Sequence, residues 1–215
     1  MDEAAALLDH ERFVSVRQLP APPGYSDIKG LNRELESHIL KQRLTANPFS
    51  ASTRGGRHGD DLISDAVGPA AGLKQILQAA FVDYIQKLPV EPGHPFLASR
   101  GAAIRWVAQA NILDSTGFLE NHVHPQSWVS GAYYVRVPPE VDESVNDNEH
   151  AGWLRFGLFP RDIRLQPAFE VRYVKPAEGT LVIFPAYFYH GTVPFRSAKH
   201  RMSLGIDLIP KDQVA

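Results

Sequence analysis

The feature that most constrains the fold is a series of short apolar segments that fills the chain from residue 103 to residue 209. Clusters of Pro, Gly, Asn or Asp separate the segments, and no helical periodicity lies between them. Together with one alternating segment near the N-terminus, the predicted strands are 13–19, 103–113, 127–137, 153–158, 169–174, 180–184, 192–195 and 201–209. Strands spaced this closely indicate an antiparallel sandwich or barrel, and eight of them suit a jelly roll.

Two amphipathic helices are predicted before this region, over residues 25–44, with Ser26 as N-cap, and over residues 70–88. Because each has an apolar stripe to bury, we expect both to pack on the outside of one sheet. Segments 50–68 and 138–152 are polar and rich in helix and strand breakers, and both are predicted to be loops. The alternative for 50–68 is a mobile cover over a site, with Arg54 or Arg57 binding an anionic ligand. The expected fold is therefore a mainly β jelly roll with two or more N-terminal helices.

The composition indicates one globular domain of 215 residues. We expect residues 1–100 to supply a strand and the supporting helices, and residues 101–210 to form the metal-binding jelly-roll core. A net charge of −2 argues against a nucleic-acid partner, and the absence of a long apolar run or signal peptide predicts a cytoplasmic protein without a membrane partner. With no cysteine in the chain, any metal must be bound by histidine and carboxylate side chains.

Five polar residues form the pattern that carries chemistry. Residues at i and i+2 of an extended chain project to one face, so His122 and His124 can reach one ion. His190 follows a buried strand and is expected at the mouth of the barrel, and Arg201 and Ser203 share a face of the last strand. Alone, His-x-His is also typical of surface or hydrogen-bonded histidines, but the combination favours a metal site.

Three protein ligands on one face of an octahedral ion leave the opposite three positions open. Those positions suit a bidentate 2-oxo acid and dioxygen. The planar donor fork of arginine matches the far carboxylate of such an acid, and a serine hydroxyl adds a hydrogen bond. Because an unpaired arginine inside a barrel is costly, we expect an anion beside Arg201.

At these residues the sequence resembles the iron(II)- and 2-oxoglutarate-dependent dioxygenases, and within them a bacterial and phage branch. Residues 103–209 carry the resemblance in the blocks His122-Val-His124-Pro125, Ser130-Gly131-Ala132-Tyr133-Tyr134, Gly152-Trp-Leu-Arg-Phe156 with Pro160-Arg161, Pro176-Ala-Glu-Gly179-Thr-Leu181-Val-Ile-Phe184-Pro185 with His190-Gly191, and Arg201-Met-Ser203. The resemblance implies a double-stranded β-helix, iron(II) ligands at His122, His124 and His190, and a 2-oxoglutarate site at Arg201 and Ser203.

Two further residues are candidates for binding the oxo acid. Related members of the superfamily use Asn-x-Tyr eleven residues before the first metal ligand, which implies a role for Asn111, although Leu113 stands in the tyrosine position. Tyr133 lies on the strand that follows the histidine pair and could donate its hydroxyl, the alternative being a tyrosine packed in the core.

His124 departs from the general pattern, because most members have Asp or Glu there. An imidazole leaves the ion at charge +2, which increases the importance of the bound anion. A competing ligand register uses His124, Gln126 and His190 and frees His122. The remaining histidines, for which we expect ordinary surface or loop positions, are His10, His38, His58, His94, His150 and His200.

The leading hypothesis is an oxidoreductase, a 2-oxoglutarate-dependent hydroxylase. It would use molecular oxygen to split 2-oxoglutarate into succinate and carbon dioxide while oxidising a bound substrate. The alternatives are a cupin-type metal-binding barrel, acting as an enzyme or as a small-molecule binder, and a non-enzymatic barrel. Cupins have no need of an Arg-x-Ser pair, so Arg201 discriminates between the two barrel types. The sequence leaves the substrate and the oligomeric state open.

Overall fold

The computed structural model describes residues 6–48, 51–98, 103–141, 149–159 and 170–211. The helices are α1 (His10–Phe13), α2 (Ile28–Leu40), α3 (Pro69–Lys87) and α4 (Pro95–Ala98), with one 3₁₀ turn at Pro139–Val141. The strands are β1 (Ser15–Gln18), β2 (Leu44–Ala46), β3 (Thr53–Asp61), β4 (Ile104–Leu119), β5 (Val129–Arg136), β6 (Leu154–Phe156), β7 (Arg172–Val174), β8 (Thr180–Pro185), β9 (His190–Thr192) and β10 (Arg201–Pro210). Among these helices we find none with both the length and the apolar character needed to cross a bilayer.

The described strands form two antiparallel sheets. The larger has the order β1-β8-β5-β10-β4-β3-β2, and the smaller has the order β7-β6-β9. A cavity lies between them, lined by Tyr134 and Arg201 of the larger sheet and by Leu154 and Thr192 of the smaller. The fold is thus the predicted mainly β jelly roll, with its open core between the sheets.

The helices cover the other face of the larger sheet, as predicted. The ring of Phe81 on α3 contacts Trp106 on β4 with centroids 5.3 Å apart. Gly131 on β5 permits this close approach, because a Cβ there would lie 2.8 Å from the Phe81 ring. Helix α2 packs over β5, where the Tyr133 hydroxyl donates a hydrogen bond of 2.6 Å to Asn32. One face of each central strand is therefore committed to the helices, and the other faces the cavity.

The prediction of a loop over residues 50–68 is wrong for its central part, where β3 pairs with β4. The strand escaped notice because it is glycine-rich and polar. Two of those glycines are needed where they stand: Gly55 has a φ of +64°, and a Cβ on Gly56 would overlap the carbonyl oxygen of Ile112. The backbone of β3 lies so close to β4 that apolar side chains would not fit at these positions.

The other predicted elements are present with boundaries that differ by up to six residues, the largest shift being at the end of β4, and β2 is not among the predicted strands. Helix α2 begins after Asp27, whose side chain accepts from the Gly30 N–H, so the N-cap is Asp27 and not Ser26. The strand predicted at 192–195 begins instead at His190, because its backbone pairs with β6. The expected loop at 138–152 contains the 3₁₀ turn, and its residues 142–148, like the Pro160-Arg161 block and the start of the strand predicted at 169–174, lie outside the described residues.

Candidate active site

Three imidazoles meet at one end of the cavity. The ring centroids of His122 and His190 are 4.3 Å apart. The centroid of His124 lies 5.0 Å from that of His122 and 5.1 Å from that of His190. One nitrogen from each ring lies within 4.8 Å of the others. The backbones of His122 and His190 are also bridged by reciprocal hydrogen bonds of 2.9 and 3.0 Å, which fixes the two side chains next to each other.

Each ring has its Nδ1 atom engaged. His122 Nδ1 is 2.7 Å from the Glu120 carbonyl oxygen, and His190 Nδ1 is 2.8 Å from the Phe188 carbonyl oxygen. Because a carbonyl can only accept, both rings carry their proton on Nδ1. This leaves the Nε2 lone pairs facing the shared point, as in metal-binding histidines held by backbone partners, with His122 Nε2 also 3.4 Å from the Ser52 hydroxyl.

The third ring has a charged partner. His124 Nδ1 lies 2.8 Å from Asp207 Oδ2, and the Ser130 hydroxyl donates to Asp207 Oδ1 at 2.6 Å. Burial alone would raise the pKa of the Asp207 carboxyl, but hydrogen bonds from His124, Ser130 and Ser127 outweigh burial and lower it. His124 Nε2 is buried and has no hydrogen-bond partner among the described residues.

Burial keeps two of these imidazoles neutral. Loss of hydration, together with repulsion from His124, lowers the pKa of His122 to about 4. Loss of hydration, with repulsion from His122 and His124, holds the pKa of His190 well below its ordinary value. At neutral pH neither ring needs to lose a proton before it can bind a cation.

This burial predicts a specific pH dependence of stability for the metal-free protein. In the unfolded chain His122 titrates near its ordinary pKa of 6.5, and in the folded chain near 4. As the pH falls from 7 to 5 the unfolded chain therefore gains a proton that the folded chain does not, and the free energy of unfolding drops by about 2 kcal/mol from His122, with a further loss from His190. Urea denaturation in the presence of a chelator at the two pH values measures this loss.

The matched variants are His122→Gln and His38→Gln, since His38 lies on α2 and pairs with Gln42. The first should flatten the pH dependence and the second should leave it unchanged. Equal unfolding free energies at pH 7 and pH 5 in the wild-type protein would show that these imidazoles are not buried in the neutral form.

A buried arginine lines the same cavity as the triad. Arg201 is 1% exposed, and its guanidinium meets no carboxylate among the described residues. Its Nη1 atom donates to Ser203 Oγ at 3.3 Å, and its Cζ atom lies 4.9 Å from the centroid of the Tyr134 ring. In the described part of the chain, Arg201 Nε and the Thr192 hydroxyl are buried without a hydrogen-bond partner. A buried guanidinium with an unsatisfied Nε donor is suited to an anion.

The structure places Tyr133 away from this pocket. Its hydroxyl is bound to Asn32 in the core under α2, so it has no access to the oxo acid. Successive residues of a strand point to opposite faces, and it is Tyr134 that faces the cavity. The residue of β5 that lines the cavity is therefore Tyr134 and not the predicted Tyr133.

Asn111 lines the cavity as expected, on β4. Its carboxamide oxygen accepts a hydrogen bond of 3.0 Å from Thr53 and lies 3.0 Å from His58 Nδ1. With the oxygen engaged on β3, the amide NH₂ group is the part of Asn111 left for a ligand. His58, expected at an ordinary position, is therefore part of the cavity wall.

The cavity contains residues that the sequence argument missed: Ser52, His58, Tyr134, Thr192 and Asp207. For Asp207 a signal was present, because it has the same strand parity as Arg201 and Ser203. The ring of His122 contacts both other imidazoles, which favours the His122/His124 register over the one with Gln126.

Residues 106–207 match the family model described as "Putative 2OG-Fe(II) oxygenase". This match covers just under half of the chain and identifies that region as a 2OG-Fe(II) oxygenase segment. This agrees with the resemblance to the iron(II)- and 2-oxoglutarate-dependent dioxygenases, and it makes iron(II) the cofactor, 2-oxoglutarate the co-substrate and dioxygen a reactant. A comparison with curated protein sequences gives no match.

Several solved structures share the fold of nearly the whole chain. A Pseudomonas putida prolyl-4-hydroxylase superposes with a TM-score of 0.63 at 16% identity, covering 96% of this chain and 98% of that one. A Trichoplax adhaerens prolyl hydroxylase gives a TM-score of 0.60 at 11% identity, with coverage of 98% and 91%. HygX from Streptomyces hygroscopicus, solved with nickel and 2-oxoglutarate bound, gives 0.57 at 11% identity, with coverage of 94% and 85%.

The side chains present fit the two groups that a 2OG-Fe(II) oxygenase requires. The buried and partnerless Nε2 atom of His124 points to a cation, and the buried, partnerless Nε of Arg201 points to an anion. Both atoms belong to the walls of one cavity of about 630 Å³. This volume lies within the range of small-molecule sites, about 300–1,000 Å³.

Proposed function

We propose that this oxygenase couples the oxidative decarboxylation of 2-oxoglutarate to the hydroxylation of an organic substrate, with iron(II) bound by His122, His124 and His190. One oxygen atom of O₂ enters succinate as carbon dioxide leaves, and the other enters a C–H bond of the substrate. The observation that carries the proposal is Arg201, a buried guanidinium without a carboxylate partner that lines the same cavity as the three imidazoles.

Arg201 and its neighbours would hold the far carboxylate of 2-oxoglutarate. The guanidinium supplies a two-pronged donor, and the hydroxyls of Ser203, Tyr134 and Thr192 line the same cavity. With the far carboxylate fixed there, the keto-acid end of the molecule would be directed toward the triad. Orientation of this kind supplies a large part of the catalysis in a reaction that joins several components.

Apolar side chains would keep water from one side of the metal. The Phe184 ring lies 4.6 Å from the His190 ring, and the Phe156 ring lies 4.9 Å from that of Phe184. A dry wall strengthens the electrostatic attraction between the site and its anion, and it protects reactive species from quenching. The bound iron would supply the place where dioxygen and the oxo acid meet.

The substrate would enter past the polar residues of the cavity wall. These include Arg105 and Gln109 on β4 and Gln126 shortly after His124. These donors and acceptors suit a polar small molecule or a side chain of a macromolecule. We also place the protein in the cytoplasm, because a reducing compartment keeps the iron divalent. We further propose that the chain forms a single domain.

The test is 2-oxoglutarate turnover by the purified full-length protein. With Fe(II), ascorbate and O₂, we expect slow formation of succinate without a substrate, at a rate at least about 100-fold above that of His122→Ala, since removing one ligand opens the metal site. Succinate is quantified by mass spectrometry, and ¹⁸O₂ should place one labelled atom in it. Metal binding without any consumption of 2-oxoglutarate would favour the cupin-type alternative.

A further inference from the structure

The carboxylate of Asp207 distinguishes His124 from the other two imidazoles. His122 and His190 each donate from Nδ1 to a neutral backbone carbonyl, whereas His124 donates to a carboxylate oxygen at 2.8 Å. His124 is also the residue that stands where the usual pattern of the superfamily has Asp or Glu. The single charged partner thus lies behind the single unusual ligand.

Asp207 is held in place by more than this contact. It is opposite Ser130 in the pairing of β10 with β5, and the Ser130 hydroxyl donates to Oδ1 at 2.6 Å while Oδ2 faces His124. The side chain is 15% exposed, and no lysine or arginine among the described residues forms an ion pair with it. Its negative charge is therefore not neutralised by a basic side chain in this part of the chain.

A purely structural role does not account for this position. Asp207 projects from the cavity face of β10, with Arg201 and Ser203, and a buried carboxylate there loses hydration. Its hydrogen bond fixes the proton of His124 on Nδ1 and leaves the Nε2 lone pair for the metal ion. A neutral carbonyl does the same for the other two rings, so orientation alone does not require a charge.

We propose that Asp207 is a positioning residue that supplies to the metal site, through His124, the negative charge that a directly bound carboxylate would otherwise provide. The inference rests on the proposed metal site. With three neutral imidazoles a divalent ion would keep its full charge of +2 until 2-oxoglutarate binds. With Asp207 one imidazole away, the metal and its surroundings carry a net charge of +1.

The decisive variant is Asp207→Asn, whose amide oxygen can still accept from His124 but carries no charge. Co(II) binding to the purified full chain is measured anaerobically by calorimetry, without 2-oxoglutarate. We expect the Kd to rise about 10- to 100-fold, the usual effect of losing such a partner of a metal ligand. Ser130→Ala keeps the charge and removes one hydrogen bond, so its Kd should change less than about threefold. A wild-type Kd in Asp207→Asn would overturn the proposal.

A second measurement separates charge from structure. The dianion of 2-oxoglutarate also neutralises the metal. For each protein we take the ratio of the Co(II) Kd without 2-oxoglutarate to the Co(II) Kd with it, and this ratio should be at least about threefold larger in Asp207→Asn than in the wild type. The ratio should not move in Ser130→Ala. An unchanged ratio in Asp207→Asn would contradict the charge role.

If Asp207→Asn does not fold, judged by circular dichroism, the pair Asp207→Glu and Asp207→Gln carries the same test, because the two differ in charge and share a length. Tighter Co(II) binding by the Glu variant, by about tenfold, supports the proposal, and equal binding overturns it. A wild-type protein that binds Co(II) but does not consume 2-oxoglutarate would refute the proposed reaction and leave this inference standing.

Discussion

Arg201→Ala should abolish saturable binding of 2-oxoglutarate while Co(II) still binds to the triad. The guanidinium is the buried cation of the cavity wall, and its Nε atom has no partner among the described residues, so it is the strongest anchor available to a carboxylate. Truncating one partner of a buried, hydrogen-bonded charge pair costs about 3 kcal/mol or more, which corresponds to at least about a 100-fold increase in Kd. Anaerobic calorimetry of the Co(II)-loaded protein with 2-oxoglutarate measures the change.

Arg57→Ala is the matched control, because that side chain is half-exposed and paired with Asp114 at 3.1 Å. It should bind 2-oxoglutarate as the wild type does. Undiminished affinity in Arg201→Ala would show that the far carboxylate binds elsewhere.

Arg201→Met adds a test of stability. Methionine keeps much of the apolar stem and removes the buried charge, whose contacts among the described residues include the Ser203 hydroxyl and the Tyr134 ring but no carboxylate. Replacing a buried, poorly paired charge by an apolar side chain is neutral or stabilising. We therefore expect an unchanged or higher Tm together with the loss of 2-oxoglutarate binding. A large drop in Tm would mean that the arginine has a mainly structural role.

The positions of the main site residues could be predicted because they follow from strand parity. His122 and His124 are two residues apart in extended backbone, and so are Arg201 and Ser203, so each pair shares a face whatever the rest of the fold does. His190 could be added because it follows a fully buried strand. The predicted jelly roll then brings these separate segments to one cavity.

Strand parity shows which residues share a face, but it does not show which face points into the cavity. Tyr133 and Tyr134 are adjacent, and nothing local shows which of them faces the helices. The sheet's outer face is fixed by contacts distant in sequence, such as the one between Asn32 of α2 and Tyr133. The same holds for His58, which reaches Asn111 only because β3 pairs with β4.

Asp207 illustrates a third kind of limit. Its parity with Arg201 and Ser203 is visible in the sequence, but its partner His124 lies 83 positions away. The unusual ligand and its charged neighbour become meaningful only as a pair. Sequence reasoning therefore identified the missing carboxylate ligand without finding the residue that compensates for it.

His190→Ala should remove the response of the protein to metal. In the wild type, Co(II) at about 100 times its Kd should stabilise the fold by about 2.7 kcal/mol, a rise in Tm of about 5–10 °C for a chain of this size. His190 is the most buried ring of the triad, and it contacts both of the others, so its loss should remove that rise entirely.

The backbone bridge between residues 122 and 190 involves main-chain atoms only, so the variant keeps the link that positions His122. Differential scanning fluorimetry with and without Co(II) measures the effect, and His38→Ala, on α2, should shift as the wild type does. A full Co(II) response in His190→Ala would mean that the metal binds outside the triad. That outcome would remove the physical basis for placing iron near Arg201, because 2-oxoglutarate held by Arg201 would then have no metal ion at its keto-acid end.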